Sequence, residues 1–346
     1  MNIAVFSDKF SGTLSAIEVL DIVQKKFLGS NINADFFSVT DGGQESNEIF
    51  KSHNFQTHEI FEALNCDNSP SVVESLNING SVFFESAQLI GIDSKKESLS
   101  INTGCLLEAV QKTEVLGTGG SKTIDFGIGL LSKLGMEFIS NGETIVDPIP
   151  KDFSYIDKIR VSNFNSSLEN RILSDTNISL LGENSAFDVF GPQKGLTEKD
   201  IDKHKLEVER LITLIDKELV LGLNPTDVNS GAAGGLTFAL NQILGCEIEN
   251  GAKYFLNETN LINQLGNYDI GVFCEGKFDD SSLEGKIIGE LLKNFKGRKY
   301  FLGGQYTAKN EDIFTSYFQC GPEGVSDPKT SLEIATNGLI KEIQKY

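Results

Sequence analysis

Tryptophan is absent from the 346 residues, and methionine occurs twice, histidine three times and proline seven times. The histidines stand at 53, 58 and 204. His53 and His58 are five apart, a spacing that does not bring two side chains to one helix face, so a histidine-based zinc site is not expected. Cysteine is limited to positions 66, 105, 246, 274 and 320, with no C-x-x-C pair and an odd count. That pattern reads as reduced thiols of a cytoplasmic protein and excludes a disulfide framework. Positive charge is scarce, with 30 Lys and Arg against 49 Asp and Glu and a net charge of −19. A cationic footprint for nucleic acid is therefore not expected, nor is a basic membrane-surface patch. No apolar run approaches membrane-spanning length. The opening MNIAVFSD has no basic start and is not expected to be a signal peptide. An anionic substrate would have to be held by local Lys, Arg or backbone N–H groups against the overall field.

What is present is the balance of a globular α/β protein, 39% hydrophobic and 23% charged, long enough for two domains or one large one. Short, continuous apolar runs occur at 3–6 (IAVF), 81–84 (SVFF), 115–117 (VLG), 270–273 (IGVF) and 299–302 (KYFL). Continuous rather than alternating apolar character predicts strands buried on both faces of a parallel sheet. Helical patterns follow them. Apolar residues at 14, 17, 19, 20, 23 and 27 predict a helix, with Ser11 or Thr13 as its cap. Others are expected around 106–110, 201–221 and 283–295. Residues 62–80 and 140–154 are polar and read as loops or hairpin turns.

In open parallel sheets, ligands bind beyond the carboxyl ends of the strands. Here those ends carry acids: Asp8 after IAVF, Asp41 after the run at 37–39, Glu85 after SVFF, Asp125 beyond VLG, and Glu275 and Asp279 after IGVF. Each alone could cap a following helix; together they point to a site. Carboxylates among glycine turns suit Mg²⁺ and phosphate, because Mg²⁺ takes one or two carboxylates plus phosphate oxygens and glycine turns bring backbone N–H groups to an anion. Lys9, Lys194, Lys277 and Lys286 are the candidate cations. The stretch VLGTGGSKT at 115–123 ends like a P-loop, yet a P-loop needs G-x-x-x-x-G-K-[ST], and its glycine positions are held by Leu116 and Ser121. Phosphoryl transfer is the reaction class these parts fit.

These stretches resemble the glycerate kinase family, type I, of bacteria. FSDKFSGTLSA at 6–16, TDGGQES at 40–46, GTGGSKTIDFG at 117–127, SGAAGGLTFAL at 230–240 and CEGKFDDSSLEGK at 274–286 are each similar to a family motif, and VFGPQKG at 189–195 matches its counterpart letter for letter. The resemblance implies two α/β domains. One is a discontinuous flavodoxin-like domain from 1–80 plus 265–346, with a parallel sheet; the other is inserted at 81–264, with the active site in the cleft. It implies ATP- and Mg²⁺-dependent phosphorylation of D-glycerate, to 2-phosphoglycerate, by a monomer or homodimer. The site residues it implies are Asp8, Asp41, Asp279 and Lys286 for catalysis. Asp8 and Asp41 line the acceptor pocket or act as general base. Gly119, Gly120, Ser121, Lys194 and Glu275 bind the cofactor, and Asp279 and Glu275 hold the metal. Asp125 and Asp175 are further acids kept. The chain departs from the family at Ser11, Gln44, Ile124, Ile178, Ser179 and Lys277. Those departures keep open a kinase for another small hydroxy acid, or a non-catalytic homologue that binds nucleotide or organic acid.

Overall fold

The computed structural model describes residues 1–174 and 176–346. Its strands, in chain order, are β1 (Ile3–Ser7), β2 (Asp35–Ser38), β3 (Gln56–Leu64), β4 (Pro70–Ile78), β5 (Ser81–Glu85), β6 (Val115–Gly117), β7 (Glu137–Ser140), β8 (Glu143–Thr144), β9 (Lys158–Arg160), β10 (Arg171–Ser174), β11 (Glu247–Asn250), β12 (Ile270–Phe278), β13 (Arg298–Tyr306) and β14 (Ser316–Gln319). The runs at 3–6, 81–84, 115–117, 270–273 and 299–302 each lie in one of them, and the run at 37–39 overlaps the end of β2.

The chain divides into two compact units. The first comprises Met1–Asp41, Glu48–Asn54 and Gly251–Tyr346. Its sheet runs β14-β13-β12-β1-β2, and all of its pairs are parallel. Renumbered within the unit this is the order 2-1-3-4-5 of flavodoxin-like sheets, whose ligand crevice lies where the winding reverses, here between β1 and β12. Ile3, Val5, Val272, Tyr300 and Leu302 are buried in its core, and burial of each large apolar side chain contributes ~1.5–3 kcal/mol. The helix Ala16–Leu28 covers this sheet through Val19, Leu20, Val23 and Phe27. Its cap is Ser15, not Ser11 or Thr13: the Ser15 hydroxyl accepts from Glu18 N–H and the Glu18 carboxylate accepts from Ser15 N–H, a reciprocal pair that satisfies two orphan donors.

The second unit comprises Gly42–Asn47 and Phe55–Asn250. Its main sheet runs β11-β10-β6-β5-β4-β3, parallel from β11 to β5 and antiparallel beyond. A small antiparallel sheet, β8-β7-β9, belongs to the same unit. The expected boundaries at 80 and 265 are corrected here. Residues 56–78 form the β3–β4 hairpin, which extends the second unit's sheet through β5. At the other end the helix Gly251–Glu258 counts with the first unit. The 62–80 stretch is thus mostly strand, with a turn at 65–69. Among the described residues no helix is long and apolar enough to cross a membrane.

Candidate functional site

In the first unit, four acids gather at the carboxyl ends of three neighbouring strands. Asp8 follows β1, Asp41 lies just past β2, Glu275 sits within β12, and Asp279 follows it. Ser7 is in register with Cys274, and Asp8 N–H donates to the Cys274 carbonyl at 3.1 Å, which sets Asp8 beside Glu275. Burial pushes Asp8 well above the ordinary carboxylate range, and the charges of Asp41 and Glu275 push it further, against the pull of Lys9. Burial likewise pushes Glu275 up to about 7, opposed by the Ser282 hydrogen bond and by Lys286, and helped by Asp279 and Asp41. Glu275 is 6% exposed. Its Oε1 accepts from Ser282 Oγ at 2.9 Å, and its Oε2 has no hydrogen-bond partner among the described residues.

Asp279 differs. Partial burial raises its pKa, but the hydrogen bonds of Ser281, the Lys277 ammonium at 3.2 Å and the Ser281 N–H outweigh that and hold it below the usual carboxylate range. Lys286 stands just before the helix Ile287–Asn294, and its ammonium donates to Ser281 Oγ at 3.1 Å. The sequence motif therefore brings Asp8, Asp41, Glu275, Asp279 and Lys286 into one electrostatically coupled group. Ser282 was not singled out by sequence, although it ties Glu275 to the Asp279 backbone N–H at 3.2 Å. The only available signal was its place three residues after Asp279, inside CEGKFDDSSLEGK.

In the second unit, the loop 118–127 follows β6. Its glycine turn at Gly119 and Gly120 is the kind of backbone that presents N–H groups to an anion. Gly119 and Gly120 have a second reason to lack side chains. A Cβ at Gly119 would lie 2.6 Å from the Gly43 Cα, and one at Gly120 2.7 Å from the Gln44 Cβ, so the loop packs backbone against the 42–44 turn. Lys194 is 5% exposed. Its ammonium donates to Ser121 Oγ at 3.2 Å and to the Thr123 carbonyl at 2.9 Å. Burial pushes Lys194 down to about 7, with Asp125 opposing and Lys122 adding to the shift. Asp125, expected among the site acids, is fully buried: its Oδ2 accepts from Thr103 N–H, Thr103 Oγ1 and Gly129 N–H, each at 2.9 Å, and its Oδ1 has no partner among the described residues. Asp175 lies outside the described residues.

The departures fall in different places. Ile124 is buried in the apolar core, and its carbonyl accepts from the His204 ring at 2.8 Å. Gln44 Nε2 donates to Asp93 Oδ2 at 3.2 Å. Ser11 is exposed in a turn.

The Mg²⁺ expectation can be tested against these residues. Among the described residues no group of three or more His, Cys, Asp or Glu is placed to hold a metal on protein ligands alone. A site of two carboxylates completed by phosphate and water is what Mg²⁺ commonly uses, and the partnerless Oε2 of Glu275 supplies a buried oxygen that a cation would satisfy. The residues fit on that basis.

Comparison with known proteins gives a consistent picture. The Glycerate kinase family matches residues 3–336. The chain is similar to "Glycerate 2-kinase" of Escherichia coli (strain K12), 27% identical over 328 residues that cover 89% of this chain and 86% of that protein. It is also similar to "Glycerate kinase" of Bacillus subtilis (strain 168), 26% identical over 304 residues covering 83% and 79%. Among solved structures, a crystal structure from Salmonella typhimurium LT2, assigned to glycerate kinase 2, superposes with a TM-score of 0.72 at 20% identity, covering 100% of this chain and 98% of that one. At that identity the likeness speaks for the fold.

Proposed function

Because the chain belongs to the glycerate kinase family, we propose that it transfers the γ-phosphoryl group of ATP to the 2-hydroxyl of D-glycerate. The observation that carries this reading is the crowding of Asp8, Asp41 and Glu275 at the reversal point of a flavodoxin-like sheet. Burial raises Asp8 and Glu275, and the neighbouring carboxylates add to it against Lys9 and Lys286; such perturbation in a ligand crevice marks a working site.

Glu275 and Asp279 would hold Mg²⁺, which when bound neutralises phosphate charge. Asp8, kept basic enough by its neighbours, takes the proton from the attacking hydroxyl, with Asp41 orienting it. The hydroxyl oxygen bonds to the γ-phosphorus, the bond to the β-phosphate oxygen breaks, and ADP leaves. Lys286 offsets charge on the transferring group. In the second unit, the amides of 119–121 bind an oxyanion of the nucleotide or of the acceptor, and Lys194 supplies positive charge to that loop. Catalysis of this kind rests on positioning and charge neutralisation.

The test is a coupled ADP-release assay with ATP, Mg²⁺ and a panel of small hydroxy acids, followed by enolase to identify 2-phosphoglycerate. Turnover on D-glycerate with an enolase-competent product supports the reading. Turnover on other hydroxy acids alone would move the acceptor, and turnover on none would overturn it.

A further inference from the structure

The carboxyl ends of β5, β6 and β10 carry hydroxyls that the reading above leaves unused. Glu85, Gly117 and Leu173 lie side by side in register across these three parallel strands. The next residue on each is Ser86, Thr118 and Ser174, a row of hydroxyl residues one position beyond the paired rung. Neighbouring strands are ~4.8 Å apart. All three residues are buried. Thr118 Oγ1 donates to the Leu173 carbonyl at 2.8 Å. The hydroxyls of Ser86 and Ser174 have no partner among the described residues, and neither has Thr123 Oγ1 farther along the loop.

Buried hydroxyls nearly always find partners, so two unmet ones flanking one strand end call for a ligand. They stand at the carboxyl ends of parallel strands, the edge from which α/β sheets bind ligands. Its neighbours select the charge of that ligand. The glycine turn at Gly119 and Gly120 is of the kind that presents N–H groups, and the Lys194 ammonium lies on the same loop. Of the nearby carboxylates, Glu85 accepts from Glu45 N–H and Asn47 N–H, both at 3.0 Å, and Asp125 accepts from Thr103 and Gly129 through Oδ2, while its Oδ1 has no partner among the described residues. The unmet serine hydroxyls can donate, and with the Lys194 ammonium on the same loop they suit an oxyanion. Neutral hydroxyls bind one by direction, through O–H donation, with little charge of their own.

We propose that Ser86 and Ser174 are specificity-determining donors that grip a small oxyanion, a carboxylate or a terminal phosphate, at the ends of β5 and β10. The identity of that oxyanion, acceptor or nucleotide, rests on the kinase reading; the presence of the grip does not.

Ser86→Ala and Ser174→Ala, singly and together, test it in the full chain. Each single change is expected to raise one KM on the order of ten-fold, the effect of one hydrogen bond to a charged group, while Tm stays level or rises, because a partnerless hydroxyl has been removed. Ser174→Thr should restore KM. A rise in the KM for D-glycerate identifies the carboxylate, and a rise in the KM for ATP identifies the phosphate. A drop in Tm with both KM values unchanged would make the serines structural and overturn the assignment. If the unaltered protein turns over no acceptor, the kinase reading fails separately, and calorimetric titration with D-glycerate and with inorganic phosphate decides the grip. Binding that weakens in the Ala variants upholds it; equal heats, or none from the unaltered protein, defeat it.

Discussion

The Ser282 hydroxyl donates to one oxygen of Glu275 at 2.9 Å, and the other oxygen of that buried carboxylate has no partner among the described residues. One hydrogen bond is enough to orient the group but not to offset its burial, which pushes Glu275 up to about 7. The carboxylate is thereby aimed by one oxygen, and on the proposed reading the other would meet the cation.

Glu275→Gln tests that arrangement. The amide keeps the shape and the Ser282 contact and removes the charge. We expect kcat to fall at least about 100-fold, the scale of losing a charge-stabilising group in phosphoryl transfer. Half-saturating Mg²⁺ should rise and Tm should hold or increase. ADP release measured across a Mg²⁺ series checks this; unchanged Mg²⁺ dependence would remove Glu275 from the metal site.

Asp8→Asn separates base chemistry from stability. Burial and the charges of Asp41 and Glu275 raise Asp8 above its unfolded value. Its ionised form therefore opposes folding, and this cost grows as pH rises through the unfolded pKa. The variant should raise Tm at pH 7. If Asp8 is the base, kcat falls by ~10²–10⁴-fold. Thermal melts and initial rates on the same sample check both arms. A Tm gain with full activity would leave Asp8 as a strained bystander.

His204 gives a pH prediction away from the acids. Its ring Nε2 donates to the Ile124 carbonyl at 2.8 Å, and the ring stacks on Phe153 and meets Phe187 edge-on. Burial pushes it down to about 4, against the Ile124 hydrogen bond and Glu207. Between an unfolded value near 6.5 and about 4, the unfolded chain binds the proton and the folded one does not. Stability is full above that window and falls by about 3 kcal/mol as pH drops through it. Urea unfolding from pH 7 to 4 should show a steeper loss in the native protein than in His204→Gln; parallel curves would refute the assignment.

Gly234 tests the glycine loop's support. It has φ +64, and a Cβ there would lie 2.0 Å from the Thr123 carbonyl oxygen. Phe126 N–H also donates to the Gly234 carbonyl at 3.1 Å, locking the two loops together. Gly234→Ala should cost at least about 3 kcal/mol, strain plus displaced backbone. Gly142→Ala is the control: φ is +86, but nothing lies within 4 Å, so only the ~1–2 kcal/mol of a left-handed alanine is expected. Chemical denaturation of both variants checks the difference.

Much of this architecture is legible in the sequence because buried parallel strands are written as unbroken apolar runs. IAVF, IGVF and KYFL announce β1, β12 and β13, and the acids that follow the first two announce the crevice. The β3–β4 hairpin was harder, since β3 is half exposed and interleaves Glu59 and Glu62 with Ile60 and Phe61, so it looks polar. The helix cap at Ser15 was readable from S-x-x-E, but the serine and threonine before it compete for the same role. The boundary between units falls at Asp41 and Gly42, inside a single motif, where no composition changes. Ser86, Ser174 and Ser282 carry no pattern of their own. A lone serine becomes informative only when its surroundings show that it has no partner, or that its partner is a buried acid.

The sheet of the first unit holds β1 between β2 on one side and β12 on the other. Ile3 meets Ile270, so about 270 residues of chain must be made before the earliest strand has its second neighbour. At ribosomal speeds of ~5–20 residues per second that is a wait of roughly 15–50 s. The second unit, nearly contiguous, is complete on the ribosome first. Asp8, the residue on which the chemistry is proposed to turn, is thus among the first to be synthesised, yet it waits for β12 to reach its place.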